Sequence, residues 1–296
     1  MTPRGAITRI LQQEHLNFLL TNRIPRRSLT RFMGWFSRIE QPWVRSASIA
    51  IWRFLADVDL SDARQTQFRS LHDCFTRELK AGARPVDPDP GLLVSPCDAI
   101  VGAMGQISDG VVLQAKGRPY RLIELLGDSE QVRYYANGWY ATLRLTAGMY
   151  HRFHAPYACR VERVAYVPGD TWNVNPIALQ RVEGLFCQNE RATLSCRLPS
   201  SGHLITLVPI AAILVASIQL QFLNLLLHLR YRGPHVIPCD AELDKGEEMG
   251  WFQHGSTILV FAPSSFSFCA SIREGSRLRM GQPLLRLPEN SSRLQA

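Results

Sequence analysis

What this 296-residue chain lacks narrows its class before any motif is read. No two of its seven cysteines, at 74, 97, 159, 187, 196, 239 and 269, form a CxxC pair. A disulfide framework or a zinc ribbon needs closer, paired spacing, so they read as reduced thiols in a cytoplasmic setting. Internal repeats and low-complexity tracts are missing too, which excludes solenoids and biased linkers. The apolar runs near the start are short and no small-residue cleavage site follows them, so a secretory signal is not expected. With 46% hydrophobic and 20% charged residues the chain is an ordinary globular sequence, neither disordered nor fibrous.

Acidic residues are nearly absent from positions 1–53. Nine arginines (4, 9, 23, 26, 27, 31, 38, 45 and 53) face only Glu14 and Glu40. Most of the overall net charge of +8 therefore sits in the N-terminal fifth. Such asymmetry points to a polyanionic partner, either nucleic acid or an anionic bilayer. Phe18, Phe32, Trp35, Phe36, Trp43, Trp52 and Phe54 interleave with those arginines. Arginine with Trp, Phe and Leu at helical spacing suits a helix lying in the headgroup plane. No run here reaches the roughly 20 apolar residues of a spanning helix. The segment is therefore read as binding an anionic membrane surface and not nucleic acid, which makes the protein peripheral on the cytoplasmic side of the cell membrane. A basic helical cap packed on the core is the plainer alternative.

Leu60, Phe68, Leu71, Phe75 and Leu79 recur at helical steps, so a helix is expected over Asp59–Glu78. Gly82, Pro85, Pro88, Pro90 and Gly91 then break the chain. Beyond them come short β-type segments separated by turns, with a short helix expected at Tyr120–Leu126. Leu204–Leu229 is apolar over most of its length, but Pro209 interrupts it and Ser217, Gln219 and Gln221 alternate with Ile218, Leu220 and Phe222. Period two favours strands over a membrane span. The fold class expected is α+β: a largely antiparallel β catalytic core, with an N-terminal basic amphipathic helical region. Residues 1–60 form the membrane-associating part and 61–296 the catalytic domain.

Reactive side chains concentrate in three places. Asp98 lies in SPCDA, His151 and His154 in YHRFHAP, and Ser256 follows Gly255 in KGEEMGWFQHGST. An acid, a histidine and a hydroxyl are the parts of a base-activated nucleophile. The same residues allow a rival reading, a metal-dependent hydrolase with His151, His154 and Asp98 as ligands. Pro156 and the β-rich flanks speak against the helix that such a histidine pair would need.

From about Phe68 to Leu285 the sequence resembles the bacterial, pyruvoyl-dependent phosphatidylserine decarboxylase family. The resemblance is carried by FTRELKAGARPVD, VSPCDAIV, LQAKGRPYRLIELLG, YHRFHAP, YVPGDTWNVNP, LFCQNER and KGEEMGWFQHGST, in the family's order. It implies a proenzyme that cuts itself at Gly255–Ser256 into a β chain 1–255 and an α chain 256–296. Asp98, His154 and Ser256 are the implied self-cleavage triad, with His154 as base and Asp98 as its orienter. Ser256 is the implied source of a covalent pyruvoyl cofactor that forms a Schiff base with phosphatidylserine and yields phosphatidylethanolamine. His151 is the candidate acid of decarboxylation, no metal is implied, and a homodimer is left open. Two departures bear on processing: Ala99 stands where the family has glycine, and His254 precedes the Gly-Ser pair. If the glycine has a positive φ, Ala99 strains the turn. A lipid-binding relative that never cleaves is the remaining alternative.

Overall fold

The structure is a computed structural model, and it describes residues 18, 25–114, 118–213, 217–253 and 256–288. Its centre is an eight-stranded sheet in which every pairing is antiparallel. Across the sheet the strands run Val236–Leu243, Cys159–Val167, Arg191–Arg197, Leu204–Ala211, Ser256–Ala262, Trp139–Leu145, Ala99–Gln106 and Arg277–Leu278. Strand Ser256–Ala262 is buried at every position. Its side chains alternate as a two-sided sheet requires. Ile258 and Val260 join one core cluster, and Leu259 and Phe261 join the other.

A four-stranded sheet, in the order Leu225–His228, Ser217–Leu220, Glu248–Phe252 and Arg152–His154, adds Ile218, Leu220 and Phe252 to the first core. The second core is filled partly by the short helices Leu122–Leu126 and Leu185–Gln188. The apolar stretch read as strands is therefore strands, at 204–211, 217–220 and 225–228. Among the described residues no helix is long and apolar enough to cross a membrane. The α+β class with a mainly antiparallel core holds.

One expectation fails. Residues 59–78 are not a helix; only Leu71–Phe75, labelled α3 below, is helical there. Polar side chains capture the backbone instead. Asp59 accepts the Ser61 N–H in a local turn, and Ser70 caps α3 by accepting from the Asp73 N–H. Ala63 bridges to Leu79, so the chain doubles back where the apolar spacing pointed to a helix. The expected helix at 120–126 begins two residues later, because strand Arg118–Arg121 precedes it.

Helix α1 spans Arg26–Phe36 and α2 spans Pro42–Ala56. Neither enters the main cores. Trp52 of α2 meets Phe75 at 5.4 Å between ring centroids, and Arg26 of α1 stacks 3.6 Å over Trp172 while pairing with Asp170. Both helices line the cavity at the start of strand Ser256–Ala262.

Candidate active site

Ser256 is the first residue of its strand, opposite Leu145 on one side and Ala211 on the other, and it is fully buried. Its Oγ has no hydrogen-bond partner among the described residues. An unpaired buried hydroxyl costs about 1–3 kcal/mol. Ser256 opens on a cavity of about 570 Å³ whose other walls are largely apolar: Met33 and Phe36 of α1, Ile51, Trp52 and Leu55 of α2, and Phe75. Gly255 and His254 lie outside the described residues.

His151 is also fully buried, with its ring 4.1 Å from Phe75, the residue that walls the cavity. Its Nδ1 lies 2.8 Å from the Met149 carbonyl. A carbonyl only accepts, so Nδ1 carries the proton and Nε2 is the nitrogen available for proton exchange. His154 is fixed by the same logic. Nδ1 donates to the Gly246 carbonyl at 2.9 Å, and Nε2 faces the Tyr150 hydroxyl at 3.1 Å. Burial pulls the His154 pKa down to about 4; the Arg152 charge adds to this, while the Gly246 hydrogen bond and Asp98 oppose it. At neutral pH the imidazole is therefore uncharged, the state a general base requires.

Asp98 is buried and gripped by Arg84, whose Nε and Nη2 donate to the carboxylate at 2.9 and 2.7 Å; the Met280 N–H donates at 2.9 Å. Arg84 also pairs with Asp62. Ala99, the departure that threatened this turn, is an ordinary strand residue opposite Leu278 and lies outside the positive-φ residues, so it adds no backbone strain.

The structure thus brings the candidates to two neighbouring sites. Tyr150, His154 and Arg84 line one recess of about 250 Å³, with Asp98 bound to Arg84. Ser256 lines the apolar cavity, with His151 behind Phe75. No hydrogen bond joins Asp98 to His154, and none joins either to Ser256 among the described residues. Tyr150 and Arg84 are the site residues that sequence reasoning left without a role. A buried aspartate demands a cation, which is a general signal, but which arginine answers is decided by the fold. His151 and His154 face different surroundings, and both Asp98 oxygens are engaged by Arg84 and the Met280 N–H. Among the described residues no group of three His, Cys, Asp or Glu side chains could hold an ion.

The family model described as phosphatidylserine decarboxylase matches residues 71–286. Relatives named phosphatidylserine decarboxylase proenzyme align over most of the chain. That of Pseudomonas fluorescens is 36% identical, covering 90% of this chain and 96% of its own. That of Aliivibrio salmonicida is 34% identical, covering 88% and 93%, and that of Brevibacillus brevis 32%, covering 90% and 95%.

Proposed function

This chain belongs to the phosphatidylserine decarboxylase family, and from that premise we propose that it cuts itself at Gly255–Ser256 and decarboxylates phosphatidylserine with the pyruvoyl group so formed. The observation that carries this reading is Ser256 itself: a buried hydroxyl, without a hydrogen-bond partner among the described residues, at the head of the central strand and beside an apolar cavity. Ser256 Oγ attacks the Gly255 carbonyl carbon, the amide C–N bond breaks, and the Ser256 nitrogen takes up the proton. This leaves an ester. Loss of the Ser256 Cα proton expels the Gly255 carboxylate, and hydrolysis releases ammonia and leaves the ketone. Glycine on the acyl side keeps a β-carbon away from the attacked carbonyl.

A pyruvoyl group at position 256 supplies an electrophile for the substrate amine and an electron sink as carbon dioxide leaves. His154 is the proposed base of self-cleavage, since burial keeps Nε2 unprotonated. Asp98 acts on it through its charge, with Arg84 fixing the carboxylate. His151 Nε2 is the proposed atom that returns a proton to the substrate carbon. Intact-mass measurement under denaturing conditions tests the reading: two chains are expected, the shorter one reacting with a carbonyl reagent. One uncut chain of full mass rejects it.

Residues 1–60 are proposed to hold the enzyme on the cytoplasmic face of the cell membrane, with residues 61–296 as the catalytic domain. Support comes from α1 and α2, where Phe32, Trp35 and Trp43 are 51, 64 and 75% exposed. Beside them Arg31, Arg38 and Arg230 line a recess of about 280 Å³ whose described lining includes no carboxylate, a site suited to lipid phosphate. Ile51 and Leu55 are both more than half exposed and both line the Ser256 cavity. They give acyl chains an apolar route from the bilayer to Ser256. Replacing Trp35 and Trp43 together by serine is expected to weaken binding to anionic vesicles about tenfold. Unchanged co-sedimentation counts against the membrane role.

A further inference from the structure

Among the described residues, Arg144 is the sole ionisable side chain lining the Ser256 cavity. It stands opposite Thr257, beside the Leu145–Ser256 pair, at the mouth of the central strand. Among the described residues it makes no ion pair and no side-chain hydrogen bond. Burial alone lowers its pKa, and no charged neighbour contributes. Arginine stays protonated even so. A half-buried guanidinium without a counter-ion is costly, and folded proteins keep one mainly where an anionic ligand completes it. The cavity therefore calls for an anion close to Ser256.

Phosphatidylserine, the substrate of the reading above, carries two anionic groups near its reactive amine. The carboxylate is a poor partner for Arg144. It departs as neutral carbon dioxide, so a bond to guanidinium is strongest in the ground state and raises the barrier to chemistry. The phosphodiester keeps its charge from substrate to product, and an arginine fork matches its oxygens. It lies a few bonds from the amine, between the headgroup at Ser256 and the acyl chains along Ile51 and Leu55. We propose that Arg144 binds the phosphodiester of the substrate headgroup and so registers the amine against residue 256.

This rests on the decarboxylase reading, and the test separates the two. Calorimetric binding of dihexanoyl phosphatidylethanolamine, dihexanoyl phosphatidylserine and dihexanoylglycerol is compared between the mature protein and its Arg144→Gln and Arg144→Lys variants, each first reduced with borohydride so that no ketone remains to turn over phosphatidylserine, with intact mass as a check on processing. Arg144→Gln is expected to weaken both phospholipids about tenfold or more, the size of a lost charge-assisted hydrogen bond, and to leave dihexanoylglycerol unchanged. Arg144→Lys is expected to recover part of the loss. Weaker phosphatidylserine binding with unchanged phosphatidylethanolamine binding assigns Arg144 to the carboxylate and overturns the proposal. So does equal binding of all three lipids by wild type and variant. A wild-type protein that stays uncut and binds neither phospholipid overturns the decarboxylase reading, and the proposal with it. If Arg144→Gln fails to fold, Arg144→Met decides: phospholipid affinity equal to wild type, with a melting temperature also equal, rejects the phosphodiester contact.

Discussion

Ser256→Ala is expected to give a single polypeptide of full mass, with no carbonyl-reactive terminus and no measurable decarboxylase activity. The expected effect is total because one side chain has two duties. In the proposed mechanism its oxygen is the nucleophile of the cut, and its carbons become the cofactor. The fold itself tolerates the change. The hydroxyl makes no hydrogen bond among the described residues, so removing it relieves a small desolvation cost and leaves a methyl in the same space. Two chains from Ser256→Ala reject the mechanism outright.

The histidines should then separate. His154→Ala is expected to block the cut, whereas His151→Ala should be cut yet decarboxylate about a hundredfold to ten-thousandfold more slowly, the usual worth of a general acid. Normal cleavage in both variants sinks this division of roles. Cutting should not scatter the product. Strand Ser256–Ala262 pairs along its whole length with Trp139–Leu145, and from Ser256 to Phe261 with Leu204–Ala211. On the proposed cut, the short chain would keep a central place in the sheet, and a terminus would be freed beside the cavity with the core intact.

That position explains which parts of the molecule the sequence could reveal. Period-two alternation is local, so the strands within 204–229 could be read correctly against the pull of a long apolar run. Helical spacing at 59–78 is local too, but it was outweighed by the Asp59 turn, the Ser70 cap and the Ala63–Leu79 bridge. The candidate residues stood out because motif and residue type coincide at Asp98, His151, His154 and Ser256. Their partners did not. Arg84 reaches Asp98 across a breaker-rich turn, Gly246 reaches His154 from 92 residues away, and Arg144 enters the proposal only because the fold sets it beside Ser256 with no counter-ion among the described residues. Nothing in a one-dimensional pattern distinguishes that arginine from its neighbours.

Glu190 carries the second large effect. It is fully buried, and burial pushes its pKa up to about 7 from 4.5, against the opposing influence of the Tyr166 hydroxyl. The hydrogen-bond arithmetic agrees. Tyr166 Oη lies 2.7 Å from Glu190 Oε1 and 3.0 Å from the His228 carbonyl, yet it owns one proton. A neutral Glu190 satisfies both contacts: the carboxyl donates to Tyr166, and Tyr166 donates to His228. The native state therefore holds a proton that the unfolded chain releases above roughly pH 4.5. Stability from this group is complete below that pH and is lost as pH rises through about 7. The loss amounts to about 3 kcal/mol, at 1.36 kcal/mol per pKa unit. His154 and His72, both pulled down to about 4 mainly by burial, act with the opposite sign between pH 4 and 6.5, so the wild-type profile is a sum. Glu190→Gln isolates one contribution. In the uncut Ser256→Ala background, where unfolding involves one chain, urea denaturation should show Glu190→Gln gaining about 3 kcal/mol on its parent between roughly pH 5 and pH 8.5. Parallel profiles for parent and variant across that range mean that Glu190 is ionised in the folded protein, and that the Tyr166 proton goes to the carboxylate and not to His228.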